Sequence, residues 1–387
     1  MKNTLNFGLI GYKFMGKAHS NALAKLGMFF DNGILVNKTA ICGRDEQGVL
    51  EAAKRFGWQS YETSWEKLIA RDDIDAIDIT APSNAHKDIA IAAVRAGKHI
   101  FCEKPLALTL SDARIMLDEA KKAGVRHQIG FNYRFAPAIM LAKKLISEGK
   151  LGKIFHFRGF YLQDWIIDPD FPLVWRLDKN VCGSGSHGDL GAHLIDMAHF
   201  LVGDFDRVIG MNKTFVKSRP IVEKMSGLSG VAADDAPRGD VMVDDATIFM
   251  GEFKNGALGS IEATRFASGN KNAMSFEING EKGSIKFEVE RINELKYYCA
   301  EDESGLEGFR TIQVTQEIHQ YAGAWWPVGH VLGYEHTFVH ELYEFTNAIK
   351  NQTDCVPSFE DGVKCSQVLD AVDLSISNGA WVKVDDL

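Results

Sequence analysis

The stretch Leu5-Asn6-Phe7-Gly8-Leu9-Ile10-Gly11-Tyr12-Lys13-Phe14-Met15-Gly16 decides the fold. Leu5 to Ile10 is an apolar run that reads as a strand, and Lys17 to Leu26 has the periodicity of a helix. Strand, glycine turn and helix N-terminus is the setting a dinucleotide fingerprint requires. The helix start offers free backbone N–H groups and a positive dipole end to a pyrophosphate. Of the G-x-G-x-x-G pattern, Gly11 and Gly16 are present, while Lys13 stands where the second glycine belongs. That glycine normally lets the backbone approach the phosphates. Lys13 is expected to lie over the pyrophosphate instead, with Phe14 and Met15 completing the turn.

Outward from this turn, strands and helices alternate. Lys38 to Cys42 reads as a second strand, followed by Gly43-Arg44-Asp45 and a helix through Phe56. An NAD site usually carries an acid at the end of this strand, bonding the ribose 2′-hydroxyl. Gly43 stands there with Arg44 beside it, a pattern that admits a 2′-phosphate and leans mildly towards NADP, so the cofactor is NAD or NADP. A helix over Ser64 to Ala70 and a strand over Ala76 to Thr80 come next. The turn Ala81-Pro82-Ser83-Asn84-Ala85-His86 then opens a helix to Arg95. His99 to Cys102 is a strand that stops in Glu103-Lys104-Pro105. Ligands of open parallel sheets sit outside the carboxyl ends of the strands, and proline ends the ladder, so Lys104 is placed to face a ligand. A helix from Ser111 to before Gly124 and a strand from Val125 to Gly130 close the series. The fold class is α/β, with an N-terminal Rossmann dinucleotide-binding domain over residues 1–127.

Residues 128–387 read as a substrate-binding and oligomerisation domain, a C-terminal α/β domain with a large open, mostly antiparallel sheet. A helix, Pro137 to Glu148, leads into a strand, Lys153 to Leu162. A long aromatic loop follows, containing Gln163-Asp164-Trp165 and Pro172-Leu173-Val174-Trp175-Arg176; loops of such length are usually functional. A glycine-rich run, 183–188, precedes an amphipathic helix over Asp189 to Leu201, on which Asp189 and His193 share a face. Phe205 to Val216 reads as a strand and 223–245 as a mobile surface loop. Asn255-Gly256 and Gly280-Glu281-Lys282-Gly283 mark hairpins. Helices are expected over Glu335 to Ile349 and Gly362 to Ser377.

Bulk properties exclude other classes. A chain of 387 residues is long enough for two cores. Its net charge of −9 gives no basic footprint for nucleic acid. No run reaches the ~18 apolar residues of a membrane span, and Met1 to Thr4 leaves no room for a secretory signal before the first strand. The six scattered cysteines include no C-x-x-C pair and fit buried thiols in a reducing, cytoplasmic compartment.

The glycine turn, Ala81 to His86, Glu103-Lys104-Pro105 and Gly188-Asp189-Leu190-Gly191-Ala192-His193-Leu194-Ile195-Asp196 together resemble the Gfo/Idh/MocA oxidoreductase family, almost end to end. Tyr161 to Trp165, Pro172 to Arg176 and Phe309-Arg310-Thr311 are similar to its sugar and anhydrosugar 3-dehydrogenases, a likeness that points to NAD. The resemblance implies hydride transfer between nicotinamide and a secondary hydroxyl, at C3 of a pyranose, anhydrosugar or glycoside. It also implies a homodimer or homotetramer built on the open sheet. Inositol or another cyclic polyol is the alternative substrate, and a non-catalytic nucleotide-sensing regulator is the rival class. Implied cofactor contacts are Gly11, Lys13, Phe14, Met15, Gly16, Gly43, Arg44, Thr80, Pro82, Asn84, His86, Glu103, Lys104, Asn132 and Arg176. Implied substrate contacts are Lys104, Tyr133, Gln163, Trp165, Trp175, Asp189, His193 and Tyr334.

Alcohol oxidation needs a hydride acceptor and a base for the hydroxyl proton. Lys104, Asp189 and His193 are the catalytic candidates, and either Lys104 or His193 can be the final base. Asp196 and His199 are expected to be structural. His187, Asp189, His193, Asp196 and His199 also cluster on or near one helix, but no H-E-x-x-H or cysteine pair accompanies them, and no metal is expected.

Overall fold

The computed structural model describes residues 3–222 and 236–387. It divides into two compact units, Met1–Asn132 with Tyr334–Ser366, and Tyr133–Gly333 with Gln367–Leu387. The boundary expected between residues 127 and 128 therefore falls at Asn132, and a later segment rejoins the first unit.

In the first unit the order is β1 (Thr4–Ile10), α1 (Phe14–Phe29), β2 (Leu35–Cys42), α2 (Glu46–Phe56), β3 (Ser60–Glu62), α3 (Trp65–Ile69), β4 (Ala76–Ile79), α4 (His86–Arg95), β5 (His99–Glu103), α5 (Leu110–Ala123) and β6 (His127–Gly130). These six strands form one parallel sheet in the order β3-β2-β1-β4-β5-β6. The order reverses next to β1, so the topological switch point lies between β1 and β4, where an open α/β sheet binds its ligand. The central strands are mostly apolar, and Phe7, Leu9, Ile77, Ile79, Ile100 and Phe101 are all sealed from solvent, with Asp78, Glu103 and Gln128 among the buried polar exceptions. The rejoining segment supplies α9 (Tyr334–Asn351). Its Phe345 meets Phe7 and Phe101 edge-on at ring distances of 6.2 and 5.7 Å. The last helix, α10 (Phe359–Asn378), begins in this segment.

The second unit contains α6 (Pro137–Ser147), β7 (Ile154–Leu162), α7 (Lys179–Cys182), a single wide π-turn (His187–Gly191) running into α8 (Ala192–Leu201), and then β8 (Phe205–Lys213), β9 (Ser218–Pro220) and β10 (Arg238–Asp240). It continues with β11 (Ala246–Phe253), β12 (Leu258–Thr264), β13 (Ala273–Gly280), β14 (Gly283–Glu288), β15 (Glu294–Cys299), β16 (Arg310–Gln313) and β17 (Val382–Lys383). Nine strands form one sheet, β16-β15-β14-β13-β7-β12-β11-β8-β17, antiparallel except for the β7–β12 pair. Both expected hairpins are present, β11–β12 and β13–β14. Burial alternates along β7 and β11, so Phe157, Tyr161 and Phe249 face inward while Phe160, Ile248 and Met250 stay exposed. Of the loop expected over 223–245, residues 223–235 lie outside the described residues, and Arg238–Asp240 pairs with Ser218–Pro220 as a strand.

Candidate active site

Each unit carries one group of candidate residues. In the first, α1 starts directly after the glycine turn, with Lys17 N donating to Lys13 O at 2.8 Å. Gly11 has φ of +106°, and a Cβ there would lie 2.7 Å from the Thr80 carbonyl. A Cβ on Gly16 would lie 2.1 Å from the Gly11 oxygen. The turn thus closes only with glycine at both ends, which is the tight approach that a pyrophosphate cradle needs. Thr80 locks it, its hydroxyl bonding the Ile10 and Gly11 oxygens at 3.1 and 3.0 Å. The Lys13 ammonium lies over the Tyr12 ring at 4.7 Å.

Tyr12 lies across the end of β2, where a Cβ on Gly43 would meet its ring at 2.2 Å. Its hydroxyl donates to Asp45 Oδ2 at 3.3 Å. An acid is therefore present at this strand end after all, two residues beyond Gly43, with Arg44 exposed beside it.

The Glu103-Lys104-Pro105 turn rests on a buried polar network. His19 Nδ1 bonds both Asp78 carboxylate oxygens at 2.9 Å, and its Nε2 meets Glu103 Oε1 at 3.0 Å. Glu103 Oε2 accepts the Lys104 backbone N–H at 3.3 Å. Burial pushes the His19 imidazole down most strongly, yet Asp78 and Glu103 together outweigh it and hold it well above the ordinary value. Glu341 completes the cluster: burial and the Glu103 charge push its carboxyl well up. The ligand-type atoms of His19, Glu103 and Glu341 lie within 4.8 Å of one another.

Several expected cofactor contacts also brace the turns of the first unit. Glu103 turns its carboxylate inward to His19, because an ion buried in the sheet must be paired. His86 is sealed, with Nδ1 at 2.9 Å from the Pro105 oxygen and Nε2 at 2.9 Å from the Ala81 oxygen. It pins the Ala81 turn to the lysine turn, and burial lowers its basicity. Asn132 is buried and donates to the Thr337 hydroxyl at 2.8 Å. Pro82 and Asn84 form the single turn ahead of α4. Tyr334 opens α9 in the first unit with its ring against Phe338 at 5.0 Å.

In the second unit the π-turn sets the chemistry. The α-helix expected from Asp189 begins only at Ala192, so Asp189 sits in the wide turn ahead of it. Asp244 caps this turn, accepting from Gly185 N, Ser186 Oγ, His187 N and Thr247 Oγ1 at 2.8, 2.6, 2.8 and 3.1 Å. Burial would raise the Asp244 carboxyl, but His187 and these donors outweigh it and hold it below the ordinary range. Gly185 presses so close to this anchor that a Cβ would fall 1.8 Å from the Asp244 oxygen.

Asp189 pairs with Arg265 at 2.8 Å. His193, nearly buried, meets the Tyr133 ring edge-on at 4.8 Å. A polar chain runs away from that ring. Tyr133 and Tyr161 bond through their hydroxyls at 2.9 Å, Tyr161 donates to Asn272 Oδ1 at 2.7 Å, Gln163 donates to the same oxygen at 3.0 Å, and Trp165 donates to Gln163 at 2.8 Å. Burial raises the Tyr133 phenol, so it stays a donor. Arg219 ties the aromatic loop down, donating to the oxygens of Ile166, Asp168 and Phe171 at 2.6, 2.7 and 3.3 Å. Arg176, an expected cofactor contact, lies over the Trp175 ring at 4.2 Å and feels the Asp189 charge.

The histidines and acids around α8 do not converge on a common point. His187 turns to the Leu369 oxygen at 3.1 Å, Asp196 forms a buried pair with Arg134, and the His199 ring packs on Phe205 at 5.6 Å.

The chain matches an oxidoreductase family with an NAD-binding Rossmann fold over residues 5–131, and the GFO/IDH/MocA C-terminal domain over residues 139–286. It is 43% identical over 386 residues, 99% of each chain, to a levoglucosan dehydrogenase of Pseudarthrobacter phenanthrenivorans. A glucose-6-phosphate 3-dehydrogenase of Bacillus subtilis is 28% identical over 367 residues, 94% of each chain. A crystal structure of an oxidoreductase domain protein from Kribbella flavida superposes with a TM-score of 0.94 at 47% identity, covering 99% of both chains. A levoglucosan dehydrogenase in complex with NADH and levoglucosan superposes with a TM-score of 0.93 at 43% identity, covering 98% of this chain and 99% of that one.

Proposed function

The chain belongs to the GFO/IDH/MocA family of NAD-binding oxidoreductases, and from that premise we propose that it oxidises the C3 hydroxyl of a pyranose or anhydrosugar of the levoglucosan type. The observation that carries this reading is the Asp189 site: a carboxylate flanked by His193, two tyrosine hydroxyls, an amide pair and the Trp165 ring. Sugars need just that combination, since their hydroxyls exchange hydrogen bonds with polar side chains while their CH faces pack on aromatic rings. NAD, when bound, supplies the hydride acceptor. Lys104 or His193 takes the hydroxyl proton, and Asp189 orients the sugar by accepting a hydrogen bond. Gly11 and Gly16 cradle the pyrophosphate. Asp45 favours NAD over NADP, because its carboxylate bonds a ribose hydroxyl and repels a 2′-phosphate. Absorbance at the reduced-nicotinamide wavelength, followed with levoglucosan, glucosides and inositols in the presence of NAD and then NADP, tests the reading. Reduction of NAD with the anhydrosugar or a glucoside is expected; reduction with inositol alone would replace the substrate class.

A second copy of the chain is the proposed partner of the exposed sheet face. Phe160, Ile248, Met250 and Met211 stand on one side of neighbouring strands and are all exposed, a patch that monomers seldom leave open. Light scattering should give a dimer or tetramer mass, and Ile248→Lys should shift it towards the monomer. No described helix is long and apolar enough to cross a membrane. All six cysteines are free thiols, which supports the cytoplasm as the compartment.

A further inference from the structure

We infer that Arg265 is a positioning residue for the reaction, acting only through Asp189; the inference rests on the proposed role of Asp189. Arg265 follows the end of β12 and is 1% exposed. One nitrogen, Nη2, makes both of its bonds, to Asp189 Oδ2 at 2.8 Å and to the Gly185 oxygen at 3.4 Å. The Gly185 oxygen also accepts the Asp189 backbone N–H at 3.1 Å. The guanidinium therefore holds the carboxylate and the start of its π-turn at once. Its Nε and Nη1 are sealed from solvent and lack a hydrogen-bond partner. The Trp165 ring covers the cation at 5.5 Å. A group closed on these sides does not reach a sugar itself, whereas the Asp189 side chain, 30% exposed, does.

A buried cation hydrogen-bonded to one carboxylate fixes the charge and direction of that partner, while Asp245 feels the same cation without a side-chain bond to it. A carboxylate paired with an arginine stays ionised to lower pH and keeps one rotamer. Asp189 can then serve as a constant acceptor for a sugar hydroxyl. The other charged or titratable groups of this site are His193, Arg176, Cys182 and Tyr133. Burial lowers the Arg176 guanidinium and raises Cys182, to about 11, and Tyr133, so none of these three changes charge across the acid range, and His193 is the one other group of the site that can. Arg265 thus fixes the charge and direction of Asp189, and following the Asp189 carboxyl directly separates its ionisation from that of His193.

The test compares wild type, Arg265→Met, Arg265→Lys, Asp189→Asn and the Met/Asn double variant. Arg265→Met should lower kcat by about tenfold to a hundredfold, the scale of one charge-assisted hydrogen bond. The part of the kcat/KM acid limb that belongs to Asp189 should rise by about 1–3 pH units. Arg265→Lys keeps the charge, so its limb should stay near wild type while kcat falls less. In the Asp189→Asn background Arg265→Met should cost nothing further. Independently of any substrate, the NMR titration of the Asp189 carboxyl carbon should move up in Arg265→Met and stay in Arg265→Lys. An unmoved Asp189 titration, or equal losses in both backgrounds, would overturn the inference. A wild type inert on every sugar but with a displaced Asp189 titration in the Met variant would instead sink the proposed function and leave the pairing standing.

Discussion

Lys104→Ala is expected to lower kcat by about 10²–10⁴-fold, the contribution of a positioned acid–base group, with NADH affinity falling far less. The asymmetry follows from the first unit's sheet. Lys104 leaves the end of β5, while the pyrophosphate turn Gly11 to Gly16 leaves the end of β1, with β4 between them. At ~4.8 Å per strand the two ends are about 10 Å apart, so truncating the lysine leaves the cradle intact. Lys104→Arg should not restore the rate, because a guanidinium stays protonated and cannot accept the hydroxyl proton. If Lys104 and His193 share one proton path, the double alanine variant should lose less than the product of the single losses. Fluorescence titration with NADH and steady-state rates on the best sugar decide it. A Lys104→Ala enzyme with full kcat would move the proton path to His193 alone.

What was legible in the sequence has a local cause. The glycine turn, the lysine at the end of β5 and the hairpins are written in contiguous residues, because turn geometry and strand termini are short-range. The π-turn was not legible: its wide ring is imposed by Asp244, 55 residues downstream of Asp189, and the run 189–201 reads as an ordinary helix. Arg265, Asn272 and Arg219 escaped for the same reason, since each is a lone polar residue whose partners come from distant segments. Asp45 differs from these. It stood in the quoted strand end, and only the fixed expectation of the acid at residue 43 hid it. Glu103 and His86 carried a family signal that pointed at the ligand, while their side chains serve the turn that presents Lys104. Nor does sequence separation predict that α9 joins the Rossmann unit. Its apolar stripe is plain, but which sheet it covers is settled only by Phe345 packing on Phe7 and Phe101.

The second large effect is on stability, and it lies under the same lysine. His19→Leu removes the imidazolium that bonds Asp78 and Glu103 in a pocket also holding Glu341, all but sealed from solvent. Removing one partner of a buried ion pair costs about 3–5 kcal/mol, a large share of a domain's total of ~5–15 kcal/mol. Both His19 and Glu341 hold their protons more tightly folded than unfolded. Their contribution is thus fully present at low pH. It is lost as pH rises, from about 4.3 for Glu341 and about 6.5 for His19, the unfolded values. Glu341→Gln keeps the neutral shape without the ionisation, so its Tm relative to wild type should be near zero at pH 4 and climb steadily towards pH 8. His19→Leu should show its smallest deficit at pH 4, where the stranded carboxylates can protonate, and its largest near neutrality. Thermal melts across that range test both, and Glu341→Gln remains informative where His19→Leu does not fold. A Glu341→Gln difference that stays flat with pH would mean that Glu341 is ionised and compensated in the folded protein. The neutral-acid account of the cluster beneath Lys104 would then fall.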